Sequence, residues 1–314
     1  MLCINLISTD PFFNLAVDEY LLKSKKEDFL VLSVNNPSVI IGKHQVAHRE
    51  SDTGFVTENR IPVIRRISGG GTVFHDEGNL NFSFILQSSQ GKQVDFRKYT
   101  QPVIDFLSTL GIKVIFEGRN DLKIDGLKIS GNAEHVYRDR VLHHGTLLFD
   151  SKLDRLRNSL RKDTSSYSTR AVQSNPSPVV NLSEKIPGMD MCRFRQSMMN
   201  YFLCIKGNAS AGLKPAEIAA VKNLAGDKYI TWEWNYAYGP EYTFKREFAV
   251  KGKPLRCQLT VKEGIIKECI IEGSDKMEHI SKKLIGRRHM PEDIAVILNE
   301  EKIISPDLDI CLFF

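Results

Sequence analysis

With 314 residues, the chain exceeds the usual reach of one hydrophobic core, so a large domain followed by a small one is expected. Its 42% hydrophobic and 26% charged residues are ordinary for a globular protein with a sizeable core. The net charge of +5 is too mild for the basic stripe of a nucleic-acid binder, yet suits an acidic partner or an anionic substrate.

Six cysteines, at positions 3, 192, 204, 257, 269 and 311, show no CxxC pair and no zinc spacing. The opening MLCINLISTDPFFN lacks a charged leader, an apolar h-region and a cleavage site. No apolar run approaches the roughly 18 residues that span a bilayer. The expectation is a reduced, cytoplasmic protein without membrane segments.

In chain order, residues 14–25 carry Leu15, Ala16, Leu21 and Leu22 at helical spacing. Phe29 to Val34 and Ser38 to Ile41 are β-branched runs around Asn-Asn-Pro and read as a strand pair. Leu80, Phe82, Phe84 and Leu86 alternate with Asn81 and Ser83, giving a strand with one apolar and one partly polar face. Val103, Phe106, Leu107 and Leu110 predict a helix that Gly111 closes. LKIDGLKIS, from Leu122 to Ser130, carries Asp-Gly between alternating apolar residues and predicts a hairpin.

Further on, Ser151 to Lys162 predicts a helix capped by its serine, and Thr164 to Gly188 a long loop. Helices follow near Cys192–Ile205 and Pro215–Leu224. From Phe244 the pattern restarts with strands FAVKG, LRCQLTV and IIKECIIEG, then helices near His279–Leu284 and Pro291–Asn299. The boundary falls near Tyr238–Arg246, and no internal repeat stands out.

The stretch with the most chemical content is RRISGGGTVFHD, Arg65 to Asp76. A P-loop needs GxxxxGK[ST], and no lysine follows at that spacing. A dinucleotide fingerprint needs GxGxxG, and Phe74 occupies its last glycine position. What remains is either a plain loop or bulge, or a glycine turn presenting backbone N–H groups to an anion. Arg65 and Arg66 alternate across a strand, and each carries a planar fork that grips carboxylates or phosphates.

In the hairpin, Asp125-Gly126 as the turn pairs Ile124 with Leu127 and Lys123 with Lys128, with Asp121 near Ser130. Two facing lysines are either solvated or gathered around an anion. His143 and His144 are strand neighbours, so they point to opposite faces and do not share a metal ion. One is expected to reach the site and the other to be structural. His75-Asp76 forms no Ser-His-Asp arrangement and reads as supporting or capping.

Taken together, DPFFNLAVDEYLL (Asp10–Leu22), VIIGKHQ (Val39–Gln45), RRISGGGTVFHDEGNLNFSF (Arg65–Phe84), NDLKIDGLKISGNA (Asn120–Ala133), HHGTLLFD (His143–Asp150), VVNL (Val179–Leu182) and WEWNYA (Trp232–Ala237) resemble the lipoate–protein ligase family. That family is related in fold to biotin–protein ligases. The resemblance is close over residues 1–238. RR-x-SGGG-x-V-x-HD joined to K-x-SG-x-A is its specific signature.

The resemblance implies an α+β fold with mixed and antiparallel sheets flanked by helices. Residues 1–240 would form the catalytic domain and residues 245–314 a small α+β accessory domain. It further implies that lipoate and ATP, with Mg2+, give lipoyl-AMP and pyrophosphate. The lipoyl group would then pass to a lysine of a lipoyl-domain acceptor, such as a 2-oxoacid dehydrogenase acyltransferase subunit or the glycine-cleavage H protein.

By the same resemblance, Lys128 would be catalytic, touching both lipoyl carbonyl and α-phosphate, and Arg66 would bind the nucleotide. Gly71, Thr72, Val73 and Phe74 would line the adenylate cleft with backbone donors. Asn79 and Asp121 would lie near the adenylate or magnesium, with Asp121 the candidate metal contact. Gly69, Gly70, His75 and His144 would line the lipoyl tunnel.

The chain departs from the family's pattern at Val46, at Glu134-His135 and at Pro176, which replaces an arginine; the lost polar groups bear on ATP activation. Two other readings share the cleft. One is a lipoyl- or octanoyltransferase using a preformed acyl-AMP or acyl carrier. Its cysteine-dependent version is opposed by the lack of cysteine between Cys3 and Cys192. The other is a non-catalytic binding protein, which the presence of Lys128 opposes.

Overall fold

Leu80, Phe82 and Phe84 point from the strand Asn79–Gln87 into a core shared with Leu30, Leu32, Val103, Phe106, Leu147 and Phe194. The opposite face of that strand carries Asn81 and Ser83, so the expected alternation is present. A computed structural model of the protein describes residues 1–88, 94–250, 252–302 and 309–314; Lys251, within the expected FAVKG strand, lies outside them.

The chain divides into two compact units, the first comprising Met1–Lys43, Ile64–Arg157 and Ser174–Ile230. Among the described residues, its larger sheet has eight strands. Their order is Ala209–Ala211, Leu2–Asn5, Phe29–Val34, Asn79–Gln87, Arg140–Leu148, Leu127–Tyr137, Asp121–Ile124 and Ile115–Glu117. Leu2–Asn5 runs parallel to both of its neighbours, while the remaining pairs are antiparallel. The sheet is therefore mixed, and the α+β architecture is as expected.

Ser38–Ile41 does not pair with Phe29–Val34. It sits instead at the centre of a smaller sheet, between Val63–Arg65 and Val73–His75. The intervening turn explains the switch. Asn35 is buried and bonded to both Asn14 and His75, and the Asn36 amide donates to Thr9 O at 2.8 Å. These bonds tie the turn to the first helix and send the chain out of the large sheet.

That helix, Pro11–Ser24, begins with Asp10 accepting from the Phe12 amide and with proline at its first position. Its apolar residues are buried as expected, but Asp18 and Glu19 are buried too. The helix Phe96–Thr109 places Val103, Phe106 and Leu107 in the core, and Gly111 follows it at φ 78°. The helix after Ser151 is shorter than expected, running Leu153–Ser159. Ser151 does not cap it: its amide and carbonyl are both bonded to the Asn181 side chain.

The second unit comprises His44–Val63, Asn158–Gln173 and Thr231–Phe314. Its antiparallel sheet has the order Tyr167–Ser168, Tyr242–Val250, Lys253–Lys262 and Ile265–Glu272. The inward residues Phe244, Leu255, Cys257, Leu259 and Ile271 cluster with Met277, Ile280, Ile294 and Ile297 of helices Asp275–Leu284 and Pro291–Glu300.

Two buried histidines lock this unit. His289 Nε2 is 2.7 Å from Phe313 O and its Nδ1 is 2.6 Å from Tyr242 OH. His48 Nε2 is 2.8 Å from His289 O and its Nδ1 is 3.0 Å from Thr53 Oγ1. A carbonyl only accepts, so both rings carry their proton on Nε2 and accept at Nδ1. Burial pushes the His289 imidazole down to about 4, and His48 is also driven well below its ordinary value.

Because these folded values lie below the unfolded one, stability is full above about pH 6.5 and falls as pH drops toward 4. The loss approaches ~1.4 kcal/mol per pH unit for each histidine. Thermal melts from pH 7 to 4.5 should show that fall. His289→Gln should melt lower at pH 7 but with a flatter pH profile; a parallel profile would contradict the assignment.

Candidate active site

Arg65 ends the strand Val63–Arg65 and Arg66 follows it, and both are buried. Arg65 Nη1 donates to Gly42 O and Lys43 O, each at 3.1 Å. Arg66 donates from Nε to Ser68 Oγ at 2.9 Å and from Nη1 to Ile40 O at 3.1 Å. Its Nη2 reaches Gly69 O at 2.6 Å and Gly71 O at 2.7 Å. Both arginines thus bind their own chain's carbonyls, and Arg66 binds those of the glycine loop.

The Arg66 contacts also orient the loop. In a trans peptide the N–H points opposite to the C=O, and no peptide here is cis. With the Gly69 and Gly71 carbonyls turned toward Arg66, the Gly70 and Thr72 amides must face away. The Thr72 amide donates to Ser174 Oγ at 2.8 Å. Gly70 makes the reversal possible, at φ 88°. Burial lowers the Arg66 guanidinium to about 10, so it remains cationic at neutral pH. Among the described residues it has no carboxylate partner.

The Asp-Gly hairpin forms as expected, with φ 52° at Asp125 and 79° at Gly126. Ile124 faces Leu127 and Lys123 faces Lys128. A bulge at Ile129 then pairs Leu122 with Ser130 and Asp121 with Gly131. The facing lysines are not gathered around a shared anion. Lys123 Nζ lies 2.5 Å from Glu117 Oε1, and Lys128 Nζ lies 2.8 Å from Asp121 Oδ1. Each has its own carboxylate, which removes the cross-strand repulsion.

Lys128 is also where three sequence segments meet. Its backbone bonds to Pro178 O and the Val180 amide, so the segment after Ser174 runs alongside it. Its side chain lies across Gly131: a Cβ added there would sit 3.3 Å from Lys128 Cε and Nζ and 3.9 Å from Val73 Cγ1. A Cβ on Gly70 would lie 3.9 Å from Ala133 Cβ, and one on Gly71 3.2 Å from Ser174 Oγ. The glycine loop, the K-x-SG-x-A strand and the Ser174 segment therefore meet at one place.

The remaining candidates distribute unevenly around it. His144 reaches Ser68 Oγ at 2.6 Å through Nε2 and Asp18 Oδ2 at 3.2 Å through Nδ1. His143 points the other way, 2.9 Å from Glu134 Oε1 and packed by Phe82, Phe96 and Tyr99. His75 is buried, and its Nδ1 faces the Asn35 amide at 2.9 Å while Nε2 has no partner. Burial holds it down to about 3, so it is neutral with the proton on Nε2.

Asp76 accepts from the Gly78 and Lys152 amides, a capping role as expected. Asn79 is fully buried, donating to Asn81 Oδ1 at 2.8 Å with its own Oδ1 unpartnered. The Phe74 side chain is buried in the small sheet opposite Val39, so only its backbone can border that place. Of the departures, Val46 joins the second unit's core, and Glu134 is committed to His143.

Asp18, Ser68 and Ser174 escaped the sequence reading. The one signal for Asp18 was a carboxylate inside the apolar run from Leu15 to Leu22.

The family model for the lipoyl protein ligase A/B catalytic domain matches residues 10–203. The chain belongs to this family. Lipoate-protein ligase LplJ of Bacillus subtilis (strain 168) is 35% identical over 299 residues, 92% of this chain and 90% of the relative.

Two solved lipoyl protein ligases share the fold. A bipartite lipoate protein ligase of Thermoplasma acidophilum, described with its E2 lipoyl domain, is 27% identical with a TM-score of 0.64, covering 74% of this chain and 95% of that one. A lipoate-protein ligase A bound with ATP is 25% identical with a TM-score of 0.63, covering 75% of this chain and 98% of that one.

The loop geometry makes neighbouring glycines unequal. Gly70→Ala places a Cβ at positive φ and 3.1 Å from Arg66 Nη2, and should cost about 1–2 kcal/mol in urea unfolding. Gly69→Ala meets nothing within 4 Å and should stay within about 0.5 kcal/mol. Equal effects would refute the loop conformation.

Proposed function

We propose that this lipoyl protein ligase family member is an ATP-dependent lipoate–protein ligase. The observation that carries the reading is the meeting of the SGGG loop, Lys128 and the Ser174 segment at one place. Relatives named as lipoate ligases, one of them bound with ATP, support the substrates.

The lipoate carboxylate attacks the α-phosphate of ATP, forming lipoyl-AMP and expelling pyrophosphate. An acceptor lysine amine then attacks the carbonyl carbon, releasing AMP and a proton as the amide forms. Both steps build negative charge on oxygen, so fixed cations and oriented N–H groups are the means of stabilisation. Lys128 is assigned to the lipoyl carbonyl and α-phosphate, exchanging Asp121 for substrate oxygens. Arg66 contributes charge, and the Gly70 amide a donor turned away from it.

Gly71, Thr72, Val73 and the Phe74 backbone form the adenylate wall, with Asn79 as a further polar contact. Gly69, Gly70, His144 and the Nε2–H of His75 border the lipoyl chain. Asp121 offers the hard carboxylate oxygen that Mg2+ prefers. Asp121 would hold the ion against the phosphates of the substrate, where it would neutralise charge; among the described residues no group of three or more His, Cys, Asp or Glu could hold a metal ion.

We assign this chemistry to residues 1–240, with residues 245–314 as an accessory domain. The acceptors are lipoyl-domain proteins, meaning 2-oxoacid dehydrogenase acyltransferase subunits and the glycine-cleavage H protein, and the setting is cytoplasmic. The T. acidophilum ligase described with its E2 lipoyl domain supports this partner class. Among the described residues, no helix is long and apolar enough to cross a membrane.

Pyrophosphate release requiring both lipoate and ATP, without acceptor, is the expected result. Transfer from supplied lipoyl-AMP without that release would assign an acyltransferase instead. Lys128→Ala should lower both partial reactions by at least about 100-fold while the melting midpoint holds. Ligation at the wild-type rate would remove Lys128 from the mechanism.

A further inference from the structure

A line of hydrogen bonds connects the first helix to the glycine loop. Ser83 Oγ donates to Asp18 Oδ2 at 2.9 Å, and His144 Nδ1 lies 3.2 Å from the same oxygen. His144 Nε2 lies 2.6 Å from Ser68 Oγ, which also receives Arg66 Nε at 2.9 Å. Asp18 and Ser68 are buried, and the His144 side chain is 13% exposed.

The chemistry of the donors sets the direction of this line. A carboxylate only accepts, so His144 carries its proton on Nδ1 and donates to Asp18. In the neutral ring Nε2 then accepts the Ser68 hydroxyl proton, and the Ser68 oxygen accepts from Arg66 Nε. Every donor meets an acceptor from Arg66 to Asp18. The Ser, His and Asp stand in the order of a hydrolytic triad. Ser68 is nevertheless 0% exposed, and its oxygen is occupied by Arg66, so it is not a nucleophile.

We propose that Asp18, His144 and Ser68 are positioning residues that fix the Arg66 guanidinium, and through it the carbonyl-inward, amide-outward form of the Gly69–Gly71 loop. This rests on the ligase reading, in which the anion facing the Gly70 amide is the adenylate phosphate. The line also separates charges usefully. Asp18 is joined to Arg66 only through two uncharged groups, so no carboxylate lies against the guanidinium to compete with phosphate. With Asp18 or His144 replaced, the Ser68 hydroxyl loses the partner that fixes its proton, so its oxygen is no longer held toward Arg66 Nε and the fork is free to turn away from Gly69 O and Gly71 O.

The test uses the full chain with lipoate, ATP and Mg2+, reading pyrophosphate release and the melting midpoint. His144→Phe and Asp18→Asn should each lower kcat by about 10–100-fold; for Asp18→Asn, whose side chain is not part of the tunnel, the lipoate KM should stay within about threefold, because loop orientation is what is disturbed. The double variant should lose no more than His144→Phe alone, since the line is already cut. His144→Gln, whose amide can accept from Ser68 and donate to Asp18, should recover part of the rate and keeps the test open if the Phe variant does not fold.

Rates within twofold of wild type, losses that multiply, or, for Asp18→Asn, a rise confined to the lipoate KM would each overturn the proposal. A wild-type chain releasing no pyrophosphate would defeat the ligase reading instead. The line has its own readout in that case: ring 15N shifts of histidine-labelled protein should show His144 as the neutral Nδ1–H form. The Nε2–H or doubly protonated form would overturn it.

Discussion

A buried guanidinium bonded to backbone carbonyls is an expensive way to shape a loop, because desolvation opposes the charge and is not offset by a carboxylate in contact. At Arg66 that cost is visible in the lowered proton affinity. What the arrangement supplies is polarity in a fixed direction. One nitrogen gathers the Gly69 and Gly71 carbonyls, and peptide planarity then decides where the Gly70 and Thr72 amides point. Three glycines alone would be a floppy connector. Held by Arg66, they become an oriented dipole array beside a permanent positive charge.

The second wall is a hairpin whose facing lysines are each paired with a carboxylate, Lys128 with Asp121 and Lys123 with Glu117 of the neighbouring strand. The Lys128 arm lies across Gly131, within reach of Val73. The glycine at 131 is thus a matter of space: any side chain would press on the end of the Lys128 arm. The loop and the hairpin are about sixty residues apart in sequence, and packing at these two glycines is what makes one site of them.

Much of the fold was legible from residue patterns because the physics there is local. Period-two alternation made Asn79–Gln87 a strand, Asp125-Gly126 set the turn through its positive φ angles, and the neighbouring histidines had to diverge. The errors came where local rules compete with distant partners. Phe29–Val34 and Ser38–Ile41 are both strands, yet Asn35 bonds to Asn14 and His75 and separates them into different sheets. Ser151 had the identity of a helix cap, but Asn181 had already claimed its backbone.

By itself, then, the sequence determined the element types, the hairpin and its turn, and the pairing of RRISGGGTVFHD with KISGNA that pointed to an acyl-adenylate family. These follow from φ preferences, side-chain period and motif spacing, which are written along the chain. Only the tertiary structure decided that the arginines face carbonyls, that Asp121 reaches Lys128, and that Asp18, His144 and Ser68 stand in line behind the loop. Hydrogen-bond partners are set by which surfaces meet in three dimensions, and neither the identity of a residue nor its place in a motif says which acceptor its protons will find.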